Sequence, residues 1–384
     1  MKGGGVILPG KTIGVMGSGQ LGRMLAMEAR RMGYGVQTFS PEKDTPTGQI
    51  ADREVVARYD DEEAVRDFAR GVDVLTFEFE NIPVKSVEWA GEHCVVRPSS
   101  RVLEVCQHRI REKEFLDGAG IPLAGFKAVG SGGDLAVAVA ELGLPAILKT
   151  AAFGYDGKGQ RKIEPGDSLV EVWAPFVGVG AVLEQVVRFE KEISVIVARG
   201  VNGETATYPV CENVHRNHIL DVTLVPARIG VEVADRARSL AVKIAEKLEL
   251  VGIMAVEMFL GRDGRILVNE LAPRPHNSGH FSLDASVTSQ FEQQLRAVCG
   301  LPLGNTESLR ASAMVNLMGE LWAGGEPDWA AVLGMAGVRL HLYGKKEPRL
   351  GRKMGHLVAF GADVEEAEGL ALRAREVLRR GEGR

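Results

Sequence analysis

The hydrophobic pattern of residues 11–107 alternates between two periods. A short apolar run at residues 11–16 and strand-like segments at residues 35–39 and 72–77 are separated by helical patterns at residues 20–31 and 60–70. Strands that alternate with helices in this way are typical of a parallel sheet covered by helices. The pattern therefore predicts an N-terminal parallel α/β domain over residues 1–107.

Strand patterns dominate the rest of the chain. A charged helix is predicted at residues 109–116 and a long helix at 231–250, and strands are predicted at residues 146–150, 181–187, 193–198, 254–260 and 266–271. The turn-rich residues 300–304 mark a boundary. After it come strands at residues 338–343 and 357–359 and a helical tail at 364–380. We expect an α/β and α+β protein with domains at 1–107, 108–300 and 301–384.

The strands around residue 263 form a predicted hairpin. Asp263-Gly264 is a strong signal for a two-residue turn, with Arg262 facing Arg265. Glu257 and Glu270 then lie directly opposite each other, unless a bulge intervenes. Like charges at facing positions repel, and oxygen ligands suit Mg²⁺ shared with phosphates, so the pair predicts a magnesium site. Two exposed glutamates paired by coincidence are the alternative.

A glycine-rich turn, GSGQLG at residues 17–22, follows the first strand and opens the first helix. This is the context of the dinucleotide-binding fingerprint. NAD binding also needs an acidic residue about 20 positions later, at the end of the second strand; residues 38–40 there read TFS. We expect a helix N-terminus that binds another phosphate or polar ligand, with purely structural glycines as the alternative.

Other polar segments follow predicted strands. Acidic residues in FEFEN (77–81) occupy a strand end, where open α/β sheets bind ligands. The loop GYDGKG (154–159) could cover phosphates with its backbone, although it is not a Walker loop. The run LAPRPHNSGH (271–280) has the composition of an anion-handling loop.

Charge and cysteine content narrow the classes of function. The formal net charge is −5, which argues against a general nucleic-acid or membrane surface. The chain starts without a signal-peptide pattern and has no apolar run of about 20 residues, so we expect a cytoplasmic protein. Four scattered cysteines argue against a zinc site or a disulfide framework. The densest basic patch, Lys345, Arg352 and Lys353, is either a phosphate site or a solvated loop.

The strand containing Lys149, the glycine loop, the glutamate-bearing linker and the hairpin together resemble the ATP-grasp superfamily. The longer segments GSGQLGRM, FEFEN, GYDGKGQ, NELAPRPHNSGH and GRKMGH resemble the N5-carboxyaminoimidazole ribonucleotide synthase family of purine biosynthesis, over nearly the whole chain. The resemblance implies an N-terminal domain, a central ATP-grasp domain and a small C-terminal domain. It also implies a homodimer that uses ATP, Mg²⁺, bicarbonate and 5-aminoimidazole ribonucleotide, and forms the N5-carbamate through carboxyphosphate.

The resemblance also implies roles for individual residues. Mg²⁺ would be held by Glu257, Glu270 and Asn269. ATP would contact residues of the central domain: Arg109, Lys149, Gly154, Tyr155, Asp156, Gly157, Lys158, Gly159, Gln160, Glu184, Gln185, Val186, Val187, Glu192, His215, Asn269 and Glu270. Catalysis would fall to Arg274, Asn277, Asp156 and Tyr155. The ribonucleotide and bicarbonate would contact residues from all three domains: Gln20, Leu21, Glu78, Asn81, Tyr155, Asp156, Arg274, His276, Lys345, Arg352 and Lys353.

Three other functions compete with this interpretation. Another ATP-grasp ligase, such as a formate-dependent ribonucleotide transformylase or a biotin carboxylase-like subunit, shares the nucleotide motifs, but the HNSGH run favours the synthase family. An NAD-dependent dehydrogenase would bind nicotinamide nucleotides. A nucleotide-sensing module would lack catalysis, which the complete Glu257/Glu270 pair beside Arg274 argues against.

Overall fold

The computed structural model describes residues 5–152 and 159–379. Its N-terminal part is a five-stranded, wholly parallel sheet in the order β3-β2-β1-β4-β5. The strands are β1 Thr12–Met16, β2 Gly35–Ser40, β3 Arg53–Val56, β4 Val74–Phe77 and β5 Val95–Val96. The helices are α1 Gln20–Arg31, α2 Glu62–Arg70, α3 Val84–Gly91 and α4 Ser100–Cys106. The prediction of a parallel α/β domain is confirmed.

A smaller antiparallel sheet begins the central part. Helix α5 (Arg109–Gly118) leads into four strands in the order β6-β9-β7-β8. Their bounds are β6 Phe126–Val129, β7 Ala146–Thr150, β8 Gln160–Ile163 and β9 Ala181–Gln185, with helices α6 Gly132–Leu142 and α7 Leu169–Trp173. The strand predicted at residues 181–187 therefore ends two residues early, and residues 186 and 187 belong to the linker to the next sheet.

The largest sheet has nine antiparallel strands in the order β15-β14-β10-β12-β13-β16-β18-β17, with β11 paired to β10. The strands are β10 Lys191–Arg199, β11 Thr205–Thr207, β12 Cys211–Arg216, β13 Ile219–Val225, β14 Gly252–Leu260, β15 Ile266–Ala272, β16 Ala311–Met318, β17 Val338–Leu342 and β18 Lys353–Gly361. The accompanying helices are α8 Val231–Lys247, α9 Ser282–Ala285, α10 Gln290–Cys299, α11 Trp329–Leu333 and α12 Val364–Arg379.

This sheet joins the central and C-terminal sequence blocks. Strand β16 pairs with β13 from Val222↔Val315 to Val225↔Ser312, so the C-terminal strands extend the central sheet. Helix α10 packs instead against the N-terminal part, where Phe291 and Leu295 are fully buried in the core around α1. The domain boundaries at residues 107 and 300 stay a prediction.

The β14–β15 hairpin corrects one detail of the sequence analysis. The turn is a three-residue loop, because Gly261 accepts from the N–H of Gly264 and donates to Arg265, and Gly264 has φ +77°. The predicted two-residue turn was therefore wrong. A bulge on β15 restores the register, and Glu257 pairs with Glu270 as predicted.

Two further observations concern the whole described part of the chain. All four cysteines are free, and three of them are buried. Among the helices of residues 5–152 and 159–379, none is both long and apolar enough to cross a bilayer.

Candidate active site

The facing pair Glu257 and Glu270 lies near the open edge of the large sheet. The Glu257 side chain is half-buried, whereas Glu270 is exposed. Burial, and then the negative charge of Glu270, raise the pKa of the Glu257 carboxyl well above its usual range. A cation between the two carboxylates would remove both the repulsion and the cost of burial.

The donor set around this pair fits Mg²⁺. Asn269, the extra residue of the β15 bulge, lies between Val268 and Glu270 and adds a third oxygen donor to the same short segment. In residues 5–152 and 159–379, no group of three or more His, Cys, Asp or Glu side chains is arranged to hold a metal ion. The Glu257–Glu270 pair with Asn269 is therefore an open donor set. Mg²⁺ is typically held in this way, by one or two carboxylates together with substrate phosphates and not by a closed protein cage.

A third carboxylate, Glu112 of α5, supports the hairpin from behind. It is 3 % exposed and accepts a hydrogen bond of 2.9 Å from the N–H of Leu271. Burial raises the pKa of Glu112 to about 8, and Glu270 adds to the shift while Lys113 opposes it. Because Leu271 directly follows Glu270, this bond ties α5 to the strand that carries this predicted metal ligand.

Two lysines, one of them the residue after Glu112, share one buried carboxylate. Glu184 of β9 contacts Lys149 at 3.0 Å and Lys113 at 3.2 Å. Burial alone would raise the pKa of Glu184, but the two ammonium groups more than offset it and hold that pKa below its usual range. The structure thus brings together Lys149 and Glu184, both predicted to contact ATP, and adds Lys113, which the sequence analysis missed.

A cleft of ≈ 760 Å³ opens between the linker after β9 and the β14–β15 hairpin. Its lining includes three residues predicted to contact ATP, Gln185, Val186 and Val187. Phe189 and Phe259, both part of its lining, stack on each other with ring centroids 4.8 Å apart. Apolar and aromatic walls of this kind suit a planar base.

The other residues predicted to contact ATP are His215, Glu192, Arg109 and the glycine loop. His215 Nδ1 lies 2.6 Å from a carboxylate oxygen of Glu192; burial opposes protonation of the ring, but the bond to Glu192 prevails and raises the pKa of His215. Arg109 donates to the backbone oxygen of Thr150 at 2.7 Å. Of the glycine loop only its last residue, Gly159 at φ +72°, is described, and Gln160 directly after it begins β8. The predictions for Gly154, Tyr155, Asp156, Gly157 and Lys158 lie outside the described residues.

The N-terminus of α1 contacts a carboxylate of the protein itself. The Glu78 carboxylate accepts hydrogen bonds from the backbone N–H groups of Gly19 and Gly22, the latter at 2.6 Å. The groups that an external anion would use are therefore satisfied by an internal one. Gly17 has φ +99°, and a Cβ there would lie 2.4 Å from Glu78 Cγ, so the glycines serve this contact. Two N–H groups of this turn are thus used inside the protein, and the expectation that the turn also contacts a phosphate or polar ligand stays a prediction.

Glu78 nevertheless faces the site. Burial raises the pKa of its carboxyl above the usual range, although the two N–H groups and then the positive charges of Arg274 and Lys345 partly offset the shift. Those charges come from the other two sequence blocks. Gln20 and Leu21 form the first turn of α1 beside it, and Asn81 lies half-buried three residues further along the chain.

Arg274 connects the central loop to the N-terminal part. Its guanidinium donates two hydrogen bonds to Glu80, Nε at 2.5 Å and a terminal nitrogen at 3.0 Å. Burial would raise the pKa of Glu80, but the guanidinium holds it below its usual range. Three residues along, the Asn277 and Asn316 side-chain amides exchange hydrogen bonds of 3.1 and 2.6 Å.

His276 and the basic loop complete the candidate site. His276 Nε2 lies 3.1 Å from Glu257 Oε1, so this predicted substrate residue contacts a predicted metal ligand. Lys345 donates to the backbone oxygen of Lys353 at 2.7 Å, and the Lys353 charge lowers the pKa of Glu257 against its burial. Arg352 donates to the backbone oxygen of Glu347 at 2.9 Å.

The sequence analysis missed the buried pair Glu112 and Lys113. Both are in a helix that was predicted only as charged, and they are 3 % and 2 % exposed. One signal was available: Glu112 precedes the fully buried Leu116 by four residues and so shares its face of the helix.

Comparison with known proteins connects this geometry to a family. The ribonucleotide synthetase preATP-grasp domain matches residues 10–107, the ATP-grasp domain residues 114–291, and the phosphoribosylaminoimidazole carboxylase C-terminal domain residues 312–369. The N5-carboxyaminoimidazole ribonucleotide synthase of Bacillus subtilis is 47 % identical over 361 residues, covering 94 % of each chain.

Solved structures agree with the sequence matches. The Staphylococcus aureus N5-carboxyaminoimidazole synthetase complexed with ADP has a TM-score of 0.90 at 36 % identity, covering 96 % of this chain and 98 % of that one. The Aspergillus clavatus synthase, solved with ADP and 5-aminoimidazole ribonucleotide, has a TM-score of 0.88 at 30 % identity, covering 96 % and 99 %. The expected architecture, with a pre-ATP-grasp domain, an ATP-grasp domain and a C-terminal domain, is confirmed.

Proposed function

The chain belongs to the N5-carboxyaminoimidazole ribonucleotide synthase family of ATP-grasp enzymes, and from that membership we propose its reaction and the residues that perform it. The reaction is the ATP-dependent carboxylation of 5-aminoimidazole ribonucleotide by bicarbonate. Bicarbonate oxygen attacks the γ-phosphorus of ATP, ADP leaves, and carboxyphosphate forms. The exocyclic amine then attacks the carboxyl carbon, phosphate departs, and the amine loses a proton to give the N5-carbamate.

ATP binds between the two antiparallel sheets in this proposal. The linker residues Gln185–Val187 border the base in the cleft, Glu192 takes the ribose, and Lys149 reaches the phosphates. Lys149 already contacts Glu184, and Lys113 contacts the same carboxylate. Lys113 can therefore neutralise Glu184 whenever Lys149 turns toward a phosphate, which keeps that buried charge paired.

Glu257 and Glu270 would hold Mg²⁺, with Asn269 beside them. A bound Mg²⁺ would neutralise charge that develops on the transferred phosphoryl group. The two carboxylates supply fixed oxygen ligands on rigid strands, and Glu112 holds the backbone of the second strand in place. These residues therefore position the γ-phosphate without any covalent step on the protein.

Carboxyphosphate and the ribonucleotide occupy the region between Arg274 and the basic loop. Arg274 carries a permanent positive charge beside the metal carboxylates and is oriented by Glu80. Asn277 and His276 follow it on the same loop. Glu78 and Asn81 border the imidazole, and Lys345, Arg352 and Lys353 bind the ribotide phosphate.

The observation that carries the proposal is the meeting of a facing carboxylate pair with the Arg274 loop. Glu257 contacts His276 of that loop at 3.1 Å. Arg274, two residues earlier on the loop, has its pKa raised against its burial by Glu80 first and then by the charge of Glu270, so it lies near the pair. The proposed Mg²⁺ ligands, Glu257 and Glu270, and the guanidinium proposed to bind an anion, that of Arg274, are thus close together. This arrangement supports transfer of a phosphoryl group to a small anion and subsequent capture by an amine.

The test measures ADP release with each substrate omitted in turn, and follows ¹³C-bicarbonate into the carbamate by NMR. ADP release that requires both bicarbonate and 5-aminoimidazole ribonucleotide, with label in the carbamate, is expected. Replacement of bicarbonate by formate is the control, since a formate-dependent transformylase would turn over under that condition. Turnover with formate and none with bicarbonate would refute the proposal.

Family membership is also the basis for proposing a cytoplasmic homodimer. Light scattering at several protein concentrations tests the assembly. A mass that stays at that of one 41.4 kDa chain would contradict it.

A further inference from the structure

A row of buried polar side chains crosses the large sheet beneath the loop of residues 274–280. Ser194 of β10, Asn213 of β12 and Thr223 of β13 are each 5 % exposed or less. Thr223 Oγ1 donates to Asn213 Oδ1 at 3.1 Å, and Asn213 Nδ2 donates to Ser194 Oγ at 2.9 Å. Buried polar groups are costly unless bonded, and the roles proposed above use none of these three.

The row continues to the candidate active site. Ser194 Oγ donates to Ser278 Oγ at 2.8 Å, and Ser278 Oγ lies 2.9 Å from His276 Nδ1. On the other side of the ring, His276 Nε2 lies 3.1 Å from Glu257 Oε1. We refer to Thr223, Asn213, Ser194 and Ser278 as the polar chain, which ends at His276.

The hydrogens in the polar chain can point in only one direction. The backbone N–H of Ser278 also bonds His276 Nδ1, at 3.3 Å, and an N–H can only donate, so Nδ1 is an acceptor without a proton. The Asn213 amide likewise donates to Ser194. Ser194 is therefore left to donate to Ser278, and Ser278 to His276.

The position of the ring proton follows from these bonds. Because His276 Nδ1 accepts from Ser278 and carries no proton, the imidazole holds its single ring proton on Nε2. That N–H points at Glu257 Oε1, which lies 3.1 Å from Nε2.

We propose that the polar chain is a positioning device, which holds His276 as the Nε2–H tautomer and thereby fixes the orientation of the Glu257 carboxylate. One oxygen of Glu257 is then engaged by an N–H, and the carboxylate presents its other lone pairs toward Glu270. Hydrogen-bond partners behind a metal ligand typically change metal affinity or activity 10- to 100-fold when they are removed. The inference rests on the proposed function of Glu257 as a Mg²⁺ ligand.

The first measurement is ¹⁵N NMR of the histidine rings in the enzyme without nucleotide or metal, with the His276 signals identified by their loss in His276→Gln. We expect an unprotonated Nδ1 and a protonated Nε2. Ser194→Ala should shift the Nε2–H proton signal and speed its exchange with water, because Ser278 loses its donor. Ser194→Thr keeps the hydroxyl and should restore the wild-type signal.

The second measurement is the Mg²⁺ concentration for half-maximal ATP turnover. Ser194→Ala should raise it about tenfold while the KM for the ribonucleotide stays unchanged. The matched control is Ser312→Ala on β16 of the same sheet: Ser312 is fully buried, and its hydroxyl bonds no other residue within 5–152 and 159–379. The control should leave both measurements at wild-type values.

If Ser194→Ala does not fold, Thr223→Val removes the first hydroxyl of the polar chain with little change in volume. This variant should also shift the Nε2–H proton signal of His276. A His276 that is protonated on Nδ1 in the wild type would overturn the inference, as would identical behaviour of Ser194→Ala and Ser312→Ala. Failure of the proposed function is separate, because it would leave the NMR result intact while ADP release no longer required bicarbonate and the ribonucleotide.

Discussion

Replacing Glu270 by glutamine should make the metal-free protein more stable and the enzyme less active. The facing pair places two carboxylates on adjacent strands, where side chains directly opposite have Cβ atoms about 5 Å apart. Two unit charges at about 4 Å repel by about 1 kcal/mol in water and about 4 kcal/mol near a protein surface. Because Glu270 is exposed, solvent screening places the relief near the lower value, about 1 kcal/mol.

The pH dependence of this effect has a definite sign. Burial and the Glu270 charge raise the folded-state pKa of Glu257 above its unfolded value of 4.5, so the folded protein binds more protons than the unfolded chain above that pH. The free energy of unfolding therefore falls as pH rises through this window. In Glu270→Gln only the burial contribution to the Glu257 pKa persists, so the fall should be shallower. The stabilisation relative to the wild type should grow as pH rises through the window up to about 8 and should be largest at pH 8.5.

Loss of a ligand should act in the opposite direction on catalysis. Glu270→Gln should raise the Mg²⁺ concentration for half-maximal turnover at least about tenfold, equivalent to about 1.4 kcal/mol. Thermal unfolding of the metal-free protein at pH 5.5, 7 and 8.5, together with Mg²⁺ titrations of turnover, tests both statements. Glu114→Gln, at an exposed position of α5, is the matched control. A variant that is less stable without metal, or that keeps the wild-type Mg²⁺ requirement, would refute the reasoning.

Three further predictions follow from the site. Because Glu78 occupies the N–H groups at the start of α1, calorimetric titration with NADH should show no binding tighter than about millimolar; micromolar binding would support a dehydrogenase. Arg352→Ala should raise the KM for 5-aminoimidazole ribonucleotide about tenfold or more and leave that for ATP unchanged, since a charged hydrogen bond contributes about 1.5–3 kcal/mol; equal shifts of both KM values would indicate a packing role. Lys113→Met should lower the free energy of unfolding, measured with denaturant, by about 1.5–3 kcal/mol, the contribution of one charged hydrogen bond. Because the folded-state pKa of Glu184 lies below its usual value, this loss should be present at pH 7 and disappear in acid; a loss that persists in acid would contradict it.

The parts of this protein that were predictable from sequence depend on contacts between near neighbours along the chain. The alternation of β1, α1 and β2 was visible because the apolar run of β1 and the strand-like pattern of β2 flank a segment with the helical period. The Glu257–Glu270 pair was visible because a hairpin brings residues 13 apart into register. Even there the turn was wrong by one residue, and the β15 bulge, which no local pattern signals, restored the register.

Tertiary structure decided what the polar groups of those elements do. Glu78 and Gly19 are 59 positions apart, and Arg274 and Glu80 are 194 apart, so no local pattern states that they meet. The glycine-rich start of α1 can bind a negative charge through its backbone N–H groups. Only the folded chain places the Glu78 carboxylate against them. A sequence thus determines which groups are able to bind a charge. The folded chain alone determines which charge is near enough to be bound, because electrostatic and hydrogen-bonding energies depend on distances of a few ångströms.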